Sequence, residues 1–220
     1  SRHLQGKRIC RELLQKASNL PVTNVPLIGM ITRLTPQKGV DLVIDVLDEL
    51  MMLDIQVVIL GEGDPDIRLK LNKAMGRYPR KLSVHINFDE SLAHLIEAGS
   101  DMFLMPSRYE PCGLNQLYSL RYGTVPIVRK TGGLADTVID ATPSNISAGK
   151  ANGFLIAHAS SHELLTTVRL ALKLFQEKDL WLQLIRNGMM ADFSWGRSAK
   201  EYERLYHLAI EKATSLPPAI

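Results

Sequence analysis

Two cations lie close together in a polar segment that follows an apolar run. Arg33 and Lys38 are five residues apart in the sequence TRLTPQKG, between the apolar run 26–32 and an amphipathic run that begins at Val40. Arginine offers a planar fork of donors, lysine offers a point charge, and a loop–helix junction adds backbone N–H groups that attract anions. The segment therefore suits a diphosphate, although a solvated loop with two ordinary surface cations would show the same pattern.

A carboxylate occupies a comparable place further along the chain. Glu110 comes at the end of the loop that follows the apolar run 102–105, just before an amphipathic run. A carboxylate there can accept hydrogen bonds from sugar or ribose hydroxyls, and the N–H groups of Gly113, Leu114 and Asn115 can receive a phosphate. The alternative interpretation makes Glu110 a partner of the helix dipole, which is worth at most ~1 kcal/mol.

A pair of glycines follows a third apolar run. Gly132 and Gly133 come soon after residues 125–128, in the sequence RKTGGLAD. Without a Cβ atom the backbone can approach an anion closely, and the amides of a following helix then point toward that anion. A flexible turn is the competing interpretation.

Short apolar runs alternate with amphipathic runs along most of the chain. The apolar runs predict strands over residues 26–32, 56–60, 82–86, 102–105, 125–128 and 153–156. The amphipathic runs predict helices over 40–52, 64–75, 91–99, 114–122, 162–176, 179–190 and 197–212. Residues 141–152 predict a flexible surface loop, and Gly99 is expected to be the C′ residue of its helix.

The strand pattern indicates the fold class. The apolar runs are continuous and do not alternate with polar residues, which is typical of a parallel sheet covered on both faces. The repeated strand–helix order therefore predicts an α/β fold, a doubly wound Rossmann-like sheet of about six strands with helices on both faces. Ligands of such sheets bind beyond the carboxyl ends of the strands. The cations, the carboxylate and the glycine pair all follow predicted strands, so their shared position favours one site.

Composition excludes several classes of function. The 220 residues are 45% hydrophobic and 22% charged, which suits a globular domain, and a net charge of +3 suits a small anionic ligand. Only 6% of residues are aromatic and no basic run is interleaved with them, so we expect no nucleic-acid partner. No apolar run approaches the ~20 residues that span a bilayer, so we expect no membrane partner. Cys10 and Cys112 show no metal-ligand spacing, and we expect no metal site.

Four motifs resemble those of bacterial glycogen synthases and plant starch synthases. They are ITRLTPQKG at 31–39, PSRYEPCGL at 106–114, RYGTVPIVRKTGGLADTV at 121–138 and FSW at 193–195. The motifs occur in the family's order, and the resemblance extends from about Gly6 to about Ala209. It implies a retaining glycosyltransferase that moves glucose from ADP-glucose, or sometimes UDP-glucose, to the non-reducing end of an α-1,4-glucan. The nucleotide sugar is a substrate, and the resemblance implies no cofactor and no metal.

The resemblance also implies a role for each candidate residue. Arg33 and Lys38 would neutralise the diphosphate leaving group, and Glu110 would orient the donor glucose by its hydroxyls. Phe88, after the third predicted strand, would stack near the base, and Thr131 would add a hydroxyl. The remaining substrate contacts are expected from Cys112, Gly113, Leu114, Asn115, Gly132 and Gly133.

The expected organisation is one half of a two-domain GT-B enzyme. Nothing in the sequence resembles the family's N-terminal domain with its Lys-x-Gly-Gly-Leu motif, so residues 1–220 are interpreted as a single C-terminal nucleotide-sugar-binding domain. The helix at about 197–212 would cross to the missing domain, which would share the α-glucan acceptor. We therefore expect the isolated chain to have little or no activity. The expected location is the bacterial cytoplasm or the plastid stroma.

Two alternative functions remain open. The first is another retaining hexosyltransferase of the sucrose- or trehalose-forming type; many such relatives carry a second Glu eight residues after the first, where this chain has Tyr118. The second is a non-catalytic module that binds nucleotide or glucan with the same face, because fold alone does not determine function. The presence of Arg33, Lys38 and Glu110 disfavours a decayed site.

Overall fold

Six parallel strands form one sheet in the computed structural model, which describes residues 2–215. The strands are β1 (Leu27–Ile31), β2 (Gln56–Leu60), β3 (Leu82–His85), β4 (Met102–Met105), β5 (Val125–Arg129) and β6 (Phe154–Ile156). Their order across the sheet is β3-β2-β1-β4-β5-β6, and every neighbouring pair is parallel. This doubly wound order confirms the predicted sheet.

Helices connect the strands and cover both faces of the sheet. They are α1 (Arg2–Ala17), α2 (Val40–Asp45), α3 (Leu47–Met52), α4 (Pro65–Arg77), α5 (Glu90–Gly99), α6 (Asn115–Arg121), α7 (Gly132–Thr137), α8 (Pro143–Ser147), α9 (Ser161–Gln176) and α10 (Lys178–Met190), and a further helix, α11 (Trp195–Ser215), follows them in the chain. Within β2, Val57 and Ile59 belong to one buried cluster, whereas Val58 and Leu60 belong to another. Because neighbouring side chains of a strand point to opposite faces, the sheet has an apolar core on each side.

Two of the expected elements are wrong in detail. The helix expected over 40–52 is interrupted at Val46, whose backbone lies at φ −113° and ψ 16°, and whose side chain is buried in the core. The loop expected over 141–152 contains the short helix α8. Thr142 caps α8 by accepting a hydrogen bond from the Asn145 amide at 3.2 Å, and Pro143 occupies its first turn, which are two local signals for a helix start.

The N-terminal helix α1, for which the sequence pattern provides no prediction, packs against α5. Gly99 makes this contact possible, because a Cβ there would lie 2.8 Å from the Cys10 carbonyl oxygen. The expectation that Gly99 is the C′ residue of its helix is wrong, because Gly99 is the last residue of α5. The absence of a side chain at this position allows α1 to approach. Arg11 of α1 donates to Asp101 Oδ2 at 2.7 Å, and both side chains are largely buried.

Lys7 provides a pH-dependent contribution to stability. Its ammonium donates to Thr124 Oγ1 at 2.6 Å, and burial lowers its pKa to about 8, against the opposing charge of Asp101. Between pH 8 and 10.5 the unfolded chain keeps a proton on this lysine that the folded chain has lost, so stability rises with pH across this window. As the pH rises through this window, the free energy of unfolding of the wild type should increase by up to about 3 kcal/mol relative to that of a Lys7→Met variant.

Urea unfolding of both proteins at pH 7.5 and pH 10 measures this difference. The Lys7→Met variant is the control, since every other titrating group is common to the two chains. A difference in unfolding free energy that stays constant with pH would show that Lys7 titrates normally.

The described chain divides after Met190 into two compact units. The second unit contains α11, which covers the helix expected at 197–212. The apolar side chains of Tyr202, Leu205 and Tyr206 on this helix are exposed. Its crossing to another domain remains a prediction. None of the described helices has the length and apolar character that crossing a membrane requires.

Candidate functional site

A cavity of about 430 Å³ opens at the carboxyl ends of the strands. Its volume is within the range of pockets that bind small molecules. The polar and glycine residues that line it come from the segments after β1, β2, β3 and β4, and they are Thr32, Arg33, Lys38, Gly61, Glu62, Asn87, Asp89, Ser107, Glu110, Gly113 and Asn115. The segments singled out after β1 and β4 therefore meet at one edge of the sheet.

Lys38 and Glu110 form an ion pair inside this cavity. The Lys38 ammonium lies 2.5 Å from Glu110 Oε2, and the Ser107 hydroxyl donates to the same oxygen at 3.3 Å. The two side chains are only 17% and 10% exposed, so little water screens the pair. Within residues 2–215, Glu110 Oε1 has no hydrogen-bond partner, which leaves one carboxylate oxygen open to a ligand.

Arg33 is a cation without an internal partner. Its side chain is exposed, lines the cavity, and forms no hydrogen bond or ion pair with any described residue. Lys38 uses one of its three ammonium donors on Glu110 and has two left. Both side chains therefore keep hydrogen-bond donors that no described residue uses, and their binding of a phosphate stays a prediction.

The start of α6 presents backbone donors to the same cavity. Gly113, Leu114 and Asn115 line it, and in the described part of the chain their N–H groups donate to no protein acceptor. Gly113 lies at φ +76°, a conformation that favours glycine. The side-chain amide of Asn115 donates to the Ile31 carbonyl at 3.2 Å, which ties the first turn of α6 to the end of β1.

Phe88 is the aromatic residue of the site. Its side chain is 86% exposed and lines the cavity, so its ring face is open to a planar ligand. The neighbouring Asn87 and Asp89 also line the cavity, as does Glu62 after β2. The sequence interpretation missed these three polar residues, although each follows a predicted strand at the ligand-binding edge of the sheet.

Cys112, Thr131, Gly132 and Gly133 lie beside the cavity and not in its lining. The Gly133 amide donates to the carbonyls of Glu110 and Pro111, both at 3.2 Å, so it is not available to a phosphate. A Cβ on Gly132 would overlap the Glu110 carbonyl oxygen, and one on Gly133 would overlap that of Cys112. The two glycines therefore admit the protein's own 110–112 backbone, and the approach of this pair to an anion stays a prediction.

No three His, Cys, Asp or Glu side chains of the described chain are grouped so that they could hold a metal ion. Cys10 and Cys112 are both free thiols, and Cys112 is exposed next to the cavity.

Comparison with known proteins gives a consistent set of relatives. A model of the family described as glycosyl transferases group 1 matches residues 12–187. The chain is 50% identical over 208 residues to glycogen synthase 1 of Methylococcus capsulatus, covering 94% of this chain and 42% of the relative. It is 50% identical over 213 residues to the glycogen synthase of Desulforudis audaxviator, covering 96% and 42%. The chain thus spans less than half the length of these relatives.

Solved structures show the same similarity. The catalytic domain of starch synthase IV from Arabidopsis thaliana, bound to ADP and acarbose, superposes with a TM-score of 0.85 at 36% identity, over 94% of this chain and 43% of that one. A sucrose-phosphate synthase from Thermosynechococcus elongatus superposes with a TM-score of 0.66 at 20% identity, over 90% and 49%, which shows likeness of fold alone.

Proposed function

Since the chain belongs to the glycosyl transferases group 1 family, we propose that it is the nucleotide-sugar-binding domain of a glycogen or starch synthase. Its fold is one half of a GT-B glycosyltransferase. The observation that carries the proposal is the cavity lined both by Arg33, which has no partner among the described residues, and by the Lys38–Glu110 pair. Names of relatives at 50% identity support the synthase assignment, whereas the sucrose-forming alternative has only a likeness of fold behind it.

The donor is ADP-glucose in this proposal, and no cofactor is needed. Arg33 and Lys38 neutralise the charge that develops on the diphosphate as the bond to glucose breaks. Both cations line the cavity before any ligand binds, so the site is preorganised for this charge. The free donors at the start of α6 bind phosphate oxygens. Oε1 of Glu110 accepts a hydrogen bond from a hydroxyl of the donor glucose, while Oε2 holds Lys38 in place.

The acceptor is an α-1,4-glucan, to whose non-reducing end the whole enzyme adds glucose with retention. Because this chain spans 42% of its relatives, we assign the acceptor site to a shared cleft with a further domain, to which α11 crosses. We propose no nucleic-acid or membrane partner. The bacterial cytoplasm is the proposed location, because the curated relatives are bacterial, with the plastid stroma as the alternative.

ADP should raise the melting temperature of the chain more than UDP does at the same millimolar concentration. The larger purine ring offers more surface to the exposed face of Phe88, and a ligand at about 100 times its Kd adds about 2.7 kcal/mol of stability. Differential scanning calorimetry with each nucleotide measures the shift, and a Phe88→Ala variant should lose most of the preference for ADP. An equal or larger shift with UDP would contradict the adenine assignment.

The chain alone should transfer almost no glucose. Transfer requires that the donor and the acceptor hydroxyl be held together, and the chain supplies only the donor side in this proposal. Incorporation of labelled glucose from ADP-glucose into glycogen measures the activity, with a full-length glycogen synthase as the positive control. Sustained elongation by this chain alone would overturn the shared-cleft assignment.

A further inference from the structure

Arg108 links the two segments that carry the charged site residues. Its guanidinium donates to both oxygens of Asp41, at 2.6 and 2.7 Å, and to the Pro36 carbonyl at 2.5 Å. Its backbone amide donates to the Gln37 carbonyl at 2.9 Å. These four hydrogen bonds all reach residues 36–41, which contain Lys38, whereas Arg108 itself is two residues from Glu110.

Apart from the Lys38–Glu110 ion pair, few other contacts hold the turn that carries Lys38. It is a single 3-10 turn, Pro36–Lys38, with no buried side chain and two backbone hydrogen bonds of 3.0 Å, from Lys38 to Thr35 and from Gly39 to Pro36. Gly39 adds a close approach, because a Cβ there would overlap the Pro106 carbonyl oxygen. Neither Arg108 nor Asp41 lines the cavity, so any effect of this pair on a ligand passes through the turn.

The pair is too exposed to serve mainly as a source of global stability. Arg108 and Asp41 are 38% and 37% exposed, and ion pairs of this exposure contribute little to unfolding free energy. Burial raises the pKa of Asp41, but the hydrogen bond and charge of Arg108 outweigh it and lower that pKa overall. A two-pronged carboxylate–guanidinium contact fixes direction as well as distance, which a positioning role requires.

We propose that Arg108, with Asp41 as its partner, is a positioning residue that fixes the Lys38 turn against Glu110 and so preforms the phosphate end of the donor site. The proposal rests on the proposed function for its ligand, but the positioning itself exists without a ligand. Lysine lacks the parallel N–H donors with which the guanidinium binds both oxygens of Asp41, so Arg108→Lys is expected to keep only part of the positioning of the turn.

The matched control is another arginine–aspartate pair of the same chain. Arg77 binds Asp48 through both oxygens at 2.9 Å on the outer surface, with 57% and 54% exposure, and lies outside the cavity lining. Arg77→Gln therefore removes the same kind of contact without touching the site. Arg108→Gln and Asp41→Asn test the proposal, and Asp41→Asn spares the bond from Arg108 to Pro36.

Two measurements on the chain decide the proposal. Hydrogen exchange without ligand should accelerate about tenfold at the Lys38 and Gly39 amides in both test variants, and ADP affinity should fall about tenfold. The double variant should be no worse than Arg108→Gln alone, and Arg77→Gln should change neither readout. Unchanged exchange at these amides, or faster exchange with wild-type ADP affinity, would overturn the proposal. If the wild-type chain binds no ADP, the proposed function fails, and exchange at these amides still shows whether the pair fixes the turn.

Discussion

Gly133→Ala is expected to weaken ADP binding about 100-fold, which corresponds to a loss of about 2.8 kcal/mol of binding free energy. Its Cβ would overlap the Cys112 carbonyl oxygen, so either the start of α7 or the 110–112 backbone must move. The Gly133 amide would also lose its bonds to the carbonyls of Glu110 and Pro111. Overpacking against backbone should cost about 1–3 kcal/mol of unfolding free energy as well.

Gly76→Ala is the control for this substitution. Gly76 lies within α4, and a Cβ there would point into open space. Alanine at this helical position should therefore stabilise the chain by about 0.5–1 kcal/mol and leave ADP affinity unchanged. Urea unfolding and calorimetric titration with ADP give the two quantities for each variant. Normal ADP affinity in Gly133→Ala would mean that the glycine pair has no part in shaping the site.

Replacing Lys38 with methionine should be costly in two separable ways. The variant leaves the nearly buried Glu110 carboxylate without its ion-pair partner, which should reduce the free energy of unfolding by up to about 3 kcal/mol. It also removes one of the two cations of the proposed phosphate site, which should weaken ADP binding by at least about tenfold.

The double variant Lys38→Met, Glu110→Gln separates these effects. Without an unpaired charge, the double variant should recover most of the lost stability, whereas ADP affinity should stay low because the cation is still missing. Unfolding in urea and ADP titration of both variants and of Glu110→Gln complete the cycle. Recovery of ADP affinity in the double variant would show that Lys38 serves only to neutralise Glu110.

The strands could be predicted because each is a continuous apolar run with clear polar boundaries. All six observed strands begin and end within one residue of the expected positions. The helix break at Val46 and the short helix α8 depend on single residues, and a periodicity of several turns does not resolve them. Helix α1 was missed because its contacts with the rest of the chain involve charged residues such as Lys7 and Arg11, whose partners Ala98 and Asp101 are distant in sequence.

The site could be predicted only as a set of segments. A parallel sheet brings the ends of its strands to one edge, so the loops of Arg33, Lys38 and Glu110 were expected to be neighbours. That Lys38 pairs with Glu110, 72 residues away, depends on side-chain directions that spacing does not encode. The glycine pair shows the same limit, because a glycine is required equally by a nearby ligand and by a nearby backbone.

Calorimetric titration of the chain with ADP, beside an Arg33→Ala, Lys38→Ala variant, tests the donor-site assignment most directly. A Lys70→Ala, Lys73→Ala variant is the matched control, because it removes the same charge from exposed positions of α4 outside the cavity lining. We expect ADP to bind the wild-type chain and the control alike, and to bind the Arg33, Lys38 variant at least about 100-fold more weakly. Equal ADP affinity in all three proteins would contradict a diphosphate site at this edge of the sheet.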